Sequence, residues 1–192
     1  DADGVESLPM EFMQAAERYQ LMPNLDRWVV QATFSAVGSG VLKIPAGRSV
    51  AINIAGQTLG DPQFLEFVVE CLDRGVVRPE QVCFELAEAA VASHHAHAAR
   101  FIAVMHGLGC KFALDDFGSG LGSFNNLKQL PMDYLKIDGS FIRGLGKDDV
   151  STAMVSAMIE LARSLGVKVI AEQVETEQAF EMVRAMKVDF VQ

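Results

Sequence analysis

Six short apolar runs alternate with stretches carrying apolar residues at helical spacing, and no hairpin turn joins one run to the next. That restricts the chain to parallel strands linked by right-handed crossovers. The runs are 50–55 (VAINIA), 82–86 (VCFEL), 112–114 (FAL), 134–138 (YLKID), 168–171 (KVIA) and 188–192 (VDFVQ). Between them lie the stripes Phe64, Phe67, Val68, Cys71 and Leu72; Phe101, Val104, Met105 and Leu108; Val155, Met158, Ile159 and Ala162; and Phe180, Val183 and Met186. Gly75, Gly109 and Gly166 stop the first three. Upstream, residues 9–19 and 25–37 read as amphipathic helices, separated from the first strand by the turn-rich stretch 38–47. Leu25, Trp28, Val29 and Ala32 share one helical stripe, which predicts Trp28 as a core anchor.

Parallel strands with crossover helices close into a barrel or wind into an open sheet, and the polar residues decide between them. Asn53, Glu85, Asp115, Lys136, Glu172 and Gln192 occupy corresponding positions near the ends of successive strands. Singly, each has a structural explanation: a backbone partner for Asn53, a helix-start charge for Glu85, a snorkelling stem for Lys136. Together they point to one shared site, and a closed barrel gathers strand ends around a single mouth. The expected fold is therefore α/β, a TIM-like barrel.

The stretch 111–120, KFALDDFGSG, delivers two adjacent acids where an apolar strand stops. Adjacent ionised carboxylates repel, and a shared proton or bound cations relieve them; the alternative is that one aspartate caps a following helix. Carboxylate and amide oxygens without cysteine suit hard divalent cations such as Mg²⁺ or Mn²⁺. Two such ions about 3.5 to 4 Å apart clamp a phosphate and activate water. A nearby lysine orients that water, and a further glutamate accepts its proton.

The bulk numbers fit this picture. One domain accounts for 192 residues, half of them hydrophobic, and no run reaches the roughly 18 apolar residues of a membrane span. The net charge of −9 argues against binding polymeric nucleic acid through phosphates, so an anionic substrate needs metal intermediaries. Cys71, Cys83 and Cys110 form no CxxC pair and suit buried thiols in a reducing cytoplasm. His94, His95 and His97 lack carboxylate or cysteine partners at ligand spacing and read as a solvated helix start. Residues 118–123 mimic a GxGxxG phosphate loop, but Ser123 replaces the third glycine and two aspartates precede it.

The runs ELAE (85–88), DDFGSG (115–120), LPMDYLKID (130–138) and AEQVET (171–176) resemble the EAL domain family of cyclic di-GMP phosphodiesterases. The likeness extends to PMEFMQAAERYQLM, LDRW, VAINIA and DFVQ, so it covers residues 1–192 in order as a single domain. It implies a TIM-like (β/α)8 barrel of the EAL type that hydrolyses cyclic di-GMP to linear pGpG with two ions, Mg²⁺ or Mn²⁺. By motif, Asn53, Glu85 and Asp115 correspond to ligands of one metal, with Asp115 bridging to a second held by Asp116 and Glu172. Lys136 corresponds to the water-orienting residue, Glu88 to the glutamate that steadies the loop after the Asp pair, and Asn53, Glu175 and Gln192 to substrate-pocket positions. The resemblance also implies a homodimer and an attached regulatory or GGDEF domain.

Three departures stand out. The glutamate strand that names the family is not among these residues, and DADG at 1–4 resembles the loop after it, so the chain is expected to be truncated at both ends. Gln173 stands where glycine is common, and Leu121 and Gly122 stand where Tyr-Ser is common. Besides the phosphodiesterase, two other readings fit the sequence: a non-catalytic cyclic di-GMP receptor, and a one-metal barrel enzyme of the enolase type. Adjacent aspartates favour a two-metal site over the last.

Overall fold

The computed structural model describes residues 9–118 and 129–192. The readings at residues 1–4, at Leu121 and Gly122, and of a phosphate loop beyond Gly118 lie outside them. Six strands form one all-parallel sheet in strictly sequential order: β1 (Val50–Ile54), β2 (Val82–Ala87), β3 (Lys111–Phe117), β4 (Tyr134–Ile137), β5 (Lys168–Ala171) and β6 (Phe190–Val191). A doubly wound sheet reverses its order at a switch point, whereas sequential order with one helix layer is the arc of a barrel. Among the described residues the helices are α1 (Pro9–Arg18), α2 (Met22–Gly38), α3 (Gly56–Leu59), α4 (Pro62–Asp73), α5 (Glu88–Ser93), α6 (His95–Leu108), α7 (Gly139–Gly144), α8 (Asp149–Leu165) and α9 (Glu177–Ala185), with a 3₁₀ turn at Pro79–Gln81. Among the described residues, no helix is long and apolar enough to cross a membrane.

Strand alternation sorts the two faces. Ile52, Ile54, Phe84, Leu86, Phe112, Leu114, Leu135, Ile137, Val169 and Ala171 are buried in the main hydrophobic core, which the helices also supply. Ring contacts stitch this layer together, with Phe84 against Phe101 at 5.3 Å and Phe101 against Phe112 at 5.9 Å, both edge-on. Ala51, Cys83, Glu85, Lys111, Tyr134, Lys168 and Ile170 line a cavity of about 240 Å³ on the other face. Helix α8 buries the expected Val155, Met158, Ile159 and Ala162, while α6 buries Ala98, Phe101, Ile102 and Met105 and leaves Val104 and Leu108 exposed. In α9 the inward residues are Ala179 and Val183, and Phe180 faces solvent.

Trp28 is not a core anchor: it is 65% exposed. The inward stripe of α2 is Met22, Asp26, Val30 and Phe34, whose spacing of four places Trp28 on the outer face. An aspartate in the middle of that stripe disguised it. Asp26 is buried because its Oδ2 accepts hydrogen bonds from the Ala55 amide at 2.9 Å and the Thr58 hydroxyl at 2.6 Å, tying α2 to the turn after β1. Next to it, Arg27 pairs with Asp61 at 2.6 Å, the residue that caps α4 through the Gln63 amide.

Burial raises the Asp26 pKa above the ordinary aspartate value, and the bonds from Thr58 and Ala55 only partly offset this. Folding therefore favours the protonated form. The group adds most to stability below the usual carboxylate range, and that contribution is lost as pH rises through its folded pKa. Asp26→Asn, which keeps the acceptor without the charge, is expected to match or exceed the parent's melting temperature at pH 7. Asp26→Ala is expected to cost about 1–3 kcal/mol by stranding two donors. Thermal melts between pH 4.5 and 7 compare them; equal losses in the two variants would show that Thr58 and Ala55 require the charge itself.

Candidate active site

The site begins with an irregularity in the ladder between β3 and β4. Ala113 pairs with Tyr134 and Leu114 with Leu135, but the next pair is Phe117 with Ile137. Two residues of β3, Asp115 and Asp116, thus oppose the single Lys136: a β-bulge. Regular alternation would send neighbouring side chains to opposite faces and drive one aspartate toward the helix layer. Instead Asp116 adopts a left-handed backbone with φ of 55°, and its amide donates to Asp115 Oδ1 at 3.0 Å. Oxygens of Asp115, Asp116 and Glu172 consequently lie within 4.8 Å of one another.

Lys136 is the counterweight. Its side chain is 3% exposed, and its Nζ lies 2.9 Å from Glu85 Oε2, 3.0 Å from Asp115 Oδ1 and 2.8 Å from Glu172 Oε1. An ammonium has three donors, and each has a carboxylate. Burial pulls the lysine toward its neutral form, but bonds to Glu172, Glu85 and Asp115 more than reverse this and hold its pKa above the ordinary value. The carboxylates pay for the crowding. Burial, then the charge of Asp115, raises Glu172 against the pull of Lys136. Asp116 is raised by burial, by Asp115 and by Asp138, with Lys136 opposing.

The remaining expected residues divide. Asn53 is exposed and pairs in register with Glu85, which in turn faces Ala113. Asp115 faces Ala87, two residues further along, so the polar residues are staggered and do not share one level. Glu88 is 3% exposed at the start of α5 and accepts a hydrogen bond at 3.0 Å from the Gly118 amide just past the bulge. Glu172 follows β5, its amide bonded to Ile137 O at 3.3 Å. Gln192 is held by its backbone between Ala171 and Val174, and its side chain is exposed. Glu175 is not drawn into the carboxylate cluster; it lines a separate cavity of about 130 Å³ with Arg143, Lys147 and Gln173.

His95 and His97 lie on α6, and among the described residues no histidine joins a group able to hold a metal. Cys71, Cys83 and Cys110 are free and buried, and burial pushes the thiols of Cys83 and Cys110 up to about 12. They stay protonated and offer no soft ligand. Two residues that shape the site escaped sequence reasoning. Asp138 loads charge onto Asp116 while its Oδ1 accepts from the Ser140 amide at 2.7 Å, and Asp26 braces the turn after Asn53. The signal for both was an acid beside an apolar run whose partner lies in another element.

Glu85, Asp115, Asp116 and Glu172 set four carboxylates against one ammonium, a formal charge of −3 in a half-buried mouth. The donor set is all oxygen and fits hard divalent cations.

Comparison with known proteins agrees. A model of the EAL domain family matches residues 1–192. The cyclic di-GMP phosphodiesterase PdeB of Shewanella oneidensis is 30% identical over 96% of this chain and 21% of its own length. The chain spans about a quarter of the curated relatives it matches. Among solved structures, a complex of the phosphodiesterase PaMucR with c-di-GMP superposes with a TM-score of 0.88 at 28% identity, covering 96% of this chain and 74% of that one. The FimX EAL domain of Pseudomonas aeruginosa bound to c-di-GMP gives 0.89 at 25% identity, covering 99% and 76%. A sequential parallel arc with acids and a lysine at its mouth, and a family match along its whole length, place this chain in the EAL domain family.

Proposed function

We propose that the chain is the catalytic domain of a phosphodiesterase that hydrolyses cyclic di-GMP to linear pGpG with two divalent cations, Mg²⁺ or Mn²⁺. The observation that carries this reading is the convergence of Asp115, Asp116 and Glu172 within 4.8 Å around the bulge, beside a lysine bonded to three carboxylates. Asn53, Glu85 and Asp115 are assigned to one ion, and Asp115, Asp116 and Glu172 to the other. Bound there, the ions supply phosphate neutralisation and a water acidic enough to attack at neutral pH.

The chain's own side chains do the rest. Lys136 stays charged in the mouth with its three donors on Glu85, Asp115 and Glu172; cations taking those oxygens would release a donor for water or a phosphate oxygen, where it would lower the barrier. Glu88 fixes the Gly118 amide and with it the exit of the bulge. Asn53 and Gln192 are assigned to the nucleotide, and Glu175 joins them by motif although it lines the neighbouring cavity with Arg143 and Gln173. The relatives' greater length supports an attached regulatory or GGDEF domain, and a homodimer in the cytoplasm belongs to the same proposal.

The test is a turnover assay on the full-length protein, following pGpG by chromatography with Mg²⁺, with Mn²⁺ and with chelator. Metal-dependent product is expected. Tight cyclic di-GMP binding without product, under any divalent ion, would replace the enzyme by a receptor domain.

A further inference from the structure

Among the described residues, four non-glycine residues have a left-handed backbone. Gln20 and Lys187 lie just past the ends of α1 and α9, where such turns are ordinary. The other two each follow a site carboxylate directly: Asp116 after Asp115, and Gln173, with φ of 53°, after Glu172. The bulge accounts for Asp116. Nothing in the ladder accounts for Gln173, and a side chain in that region persists only where its surroundings hold it.

What holds Gln173 is α7. Its amide oxygen accepts a hydrogen bond from the Arg143 guanidinium, and its side chain lies across Gly139. A methyl group at Gly139 would stand 2.8 Å from Gln173 Cβ, so the absence of a side chain there makes room for one at 173. The same helix reaches the other carboxylate strand: a methyl at Gly118 would stand 3.0 Å from the Phe141 ring. α7 also follows directly on β4, the strand that carries Lys136. One short helix therefore touches the exits of β3 and β5 and is continuous with the lysine strand between them.

We propose that Arg143 and Gln173 are positioning residues for Glu172, a latch through which α7 sets the rotation of the Glu172–Gln173 peptide. Glycine at 173 would leave that peptide without a handle; glutamine gives α7 a grip on it. The latch fixes the direction in which the Glu172 carboxylate meets Lys136, Asp115 and Asp116. This assignment rests on the phosphodiesterase reading for its consequence, and on the Gln173 backbone and its side-chain contacts with α7 for its existence.

The full-length protein is compared with Arg143→Ala, Arg143→Lys, Gln173→Gly and Gly139→Ala. In Arg143→Ala, hydrogen–deuterium exchange of residues 172–175 is expected to quicken with little change in melting temperature. Mn²⁺ affinity, read by paramagnetic resonance, is expected to weaken about tenfold, the scale of groups that orient a ligand. Turnover should fall with KM unchanged, and Arg143→Lys, which keeps a donor, should recover most of it. Gln173→Gly should lose metal affinity without losing stability, because glycine suits the backbone there, and Gly139→Ala should reproduce the loss by displacing Gln173.

Unchanged exchange at 172–175 in Arg143→Ala overturns the latch. So does quickened exchange with unaltered Mn²⁺ affinity and turnover in a parent that has both. A raised KM with turnover retained in Gln173→Gly would make Gln173 a nucleotide contact instead. If the parent neither binds Mn²⁺ nor cleaves, the phosphodiesterase reading fails, and the exchange comparison alone decides the latch.

Discussion

Asp115→Asn is expected to reduce cyclic di-GMP hydrolysis by about a thousandfold or more while leaving the fold intact. Asp115 occupies the bulge, touches Lys136 and shares its neighbourhood with Asp116 and Glu172. Asparagine preserves its shape and can still accept from Lys136, so the change isolates charge. A carboxylate in the proposed bridging role would carry several kcal/mol of charge stabilisation, and about 4 kcal/mol corresponds to three decades in rate. Mn²⁺ affinity should fall in parallel. Turnover within tenfold of the parent, measured at saturating Mg²⁺ or Mn²⁺, would remove Asp115 from the bridging role.

Removing Lys136 has a double consequence. Lys136→Ala is expected to lower turnover by about 10²- to 10⁴-fold, the scale of a positioned proton-handling or charge-stabilising group, while cyclic di-GMP affinity changes far less. It also strips the one ammonium from among Glu85, Asp115 and Glu172. Deleting one partner of a buried charge cluster costs about 3–5 kcal/mol. With chelator present, the variant should therefore melt well below the parent. Mg²⁺ or Mn²⁺ should restore much of the difference, since ions in the proposed site would neutralise the same oxygens. Identical melting temperatures with and without divalent ion would mean that no cation sits among these carboxylates. Loss of nucleotide binding with unchanged turnover per bound substrate would contradict a lysine acting in the chemical step.

Much of this architecture is written in local patterns. Runs such as VAINIA and KVIA, each beside a glycine-stopped stripe, announce strand and crossover without ambiguity, and α8 buries the four residues its spacing names. What escaped depends on partners distant in sequence. The stripe of α2 runs through Asp26, a residue that reads as solvent-facing until Ala55 and Thr58, about thirty positions later, supply its bonds. Trp28 was misplaced for the same reason: hydrophobicity alone rotates that helix toward the tryptophan. The four-residue helix α3 is too short to leave a periodic trace.

At the site, the residue types were legible and their arrangement was not. Glu85, Asp115, Lys136 and Glu172 follow from strand ends, but β3 reads as stopping at Leu114 whereas it continues to Phe117. Extending a regular strand through Asp115 and Asp116 would have parted them. Only the register against β4 shows that both fit on one side. Gln173 was visible as a departure from motif, and its contact with Arg143 across 30 positions was not.

The bulge is a matter of count, and count is inherited differently from chemistry. In the gene, two aspartate codons stand where the neighbouring strand spends one on Lys136. An in-frame loss of either would return β3 to plain alternation, with its ladder, its helices and its phenylalanine core untouched. On the phosphodiesterase reading proposed above, a lineage would thus shed catalysis in a single mutational event and keep the domain's core, while recovering it would demand both an insertion and the right residue. The path from enzyme to binding module is short in one direction and long in the other.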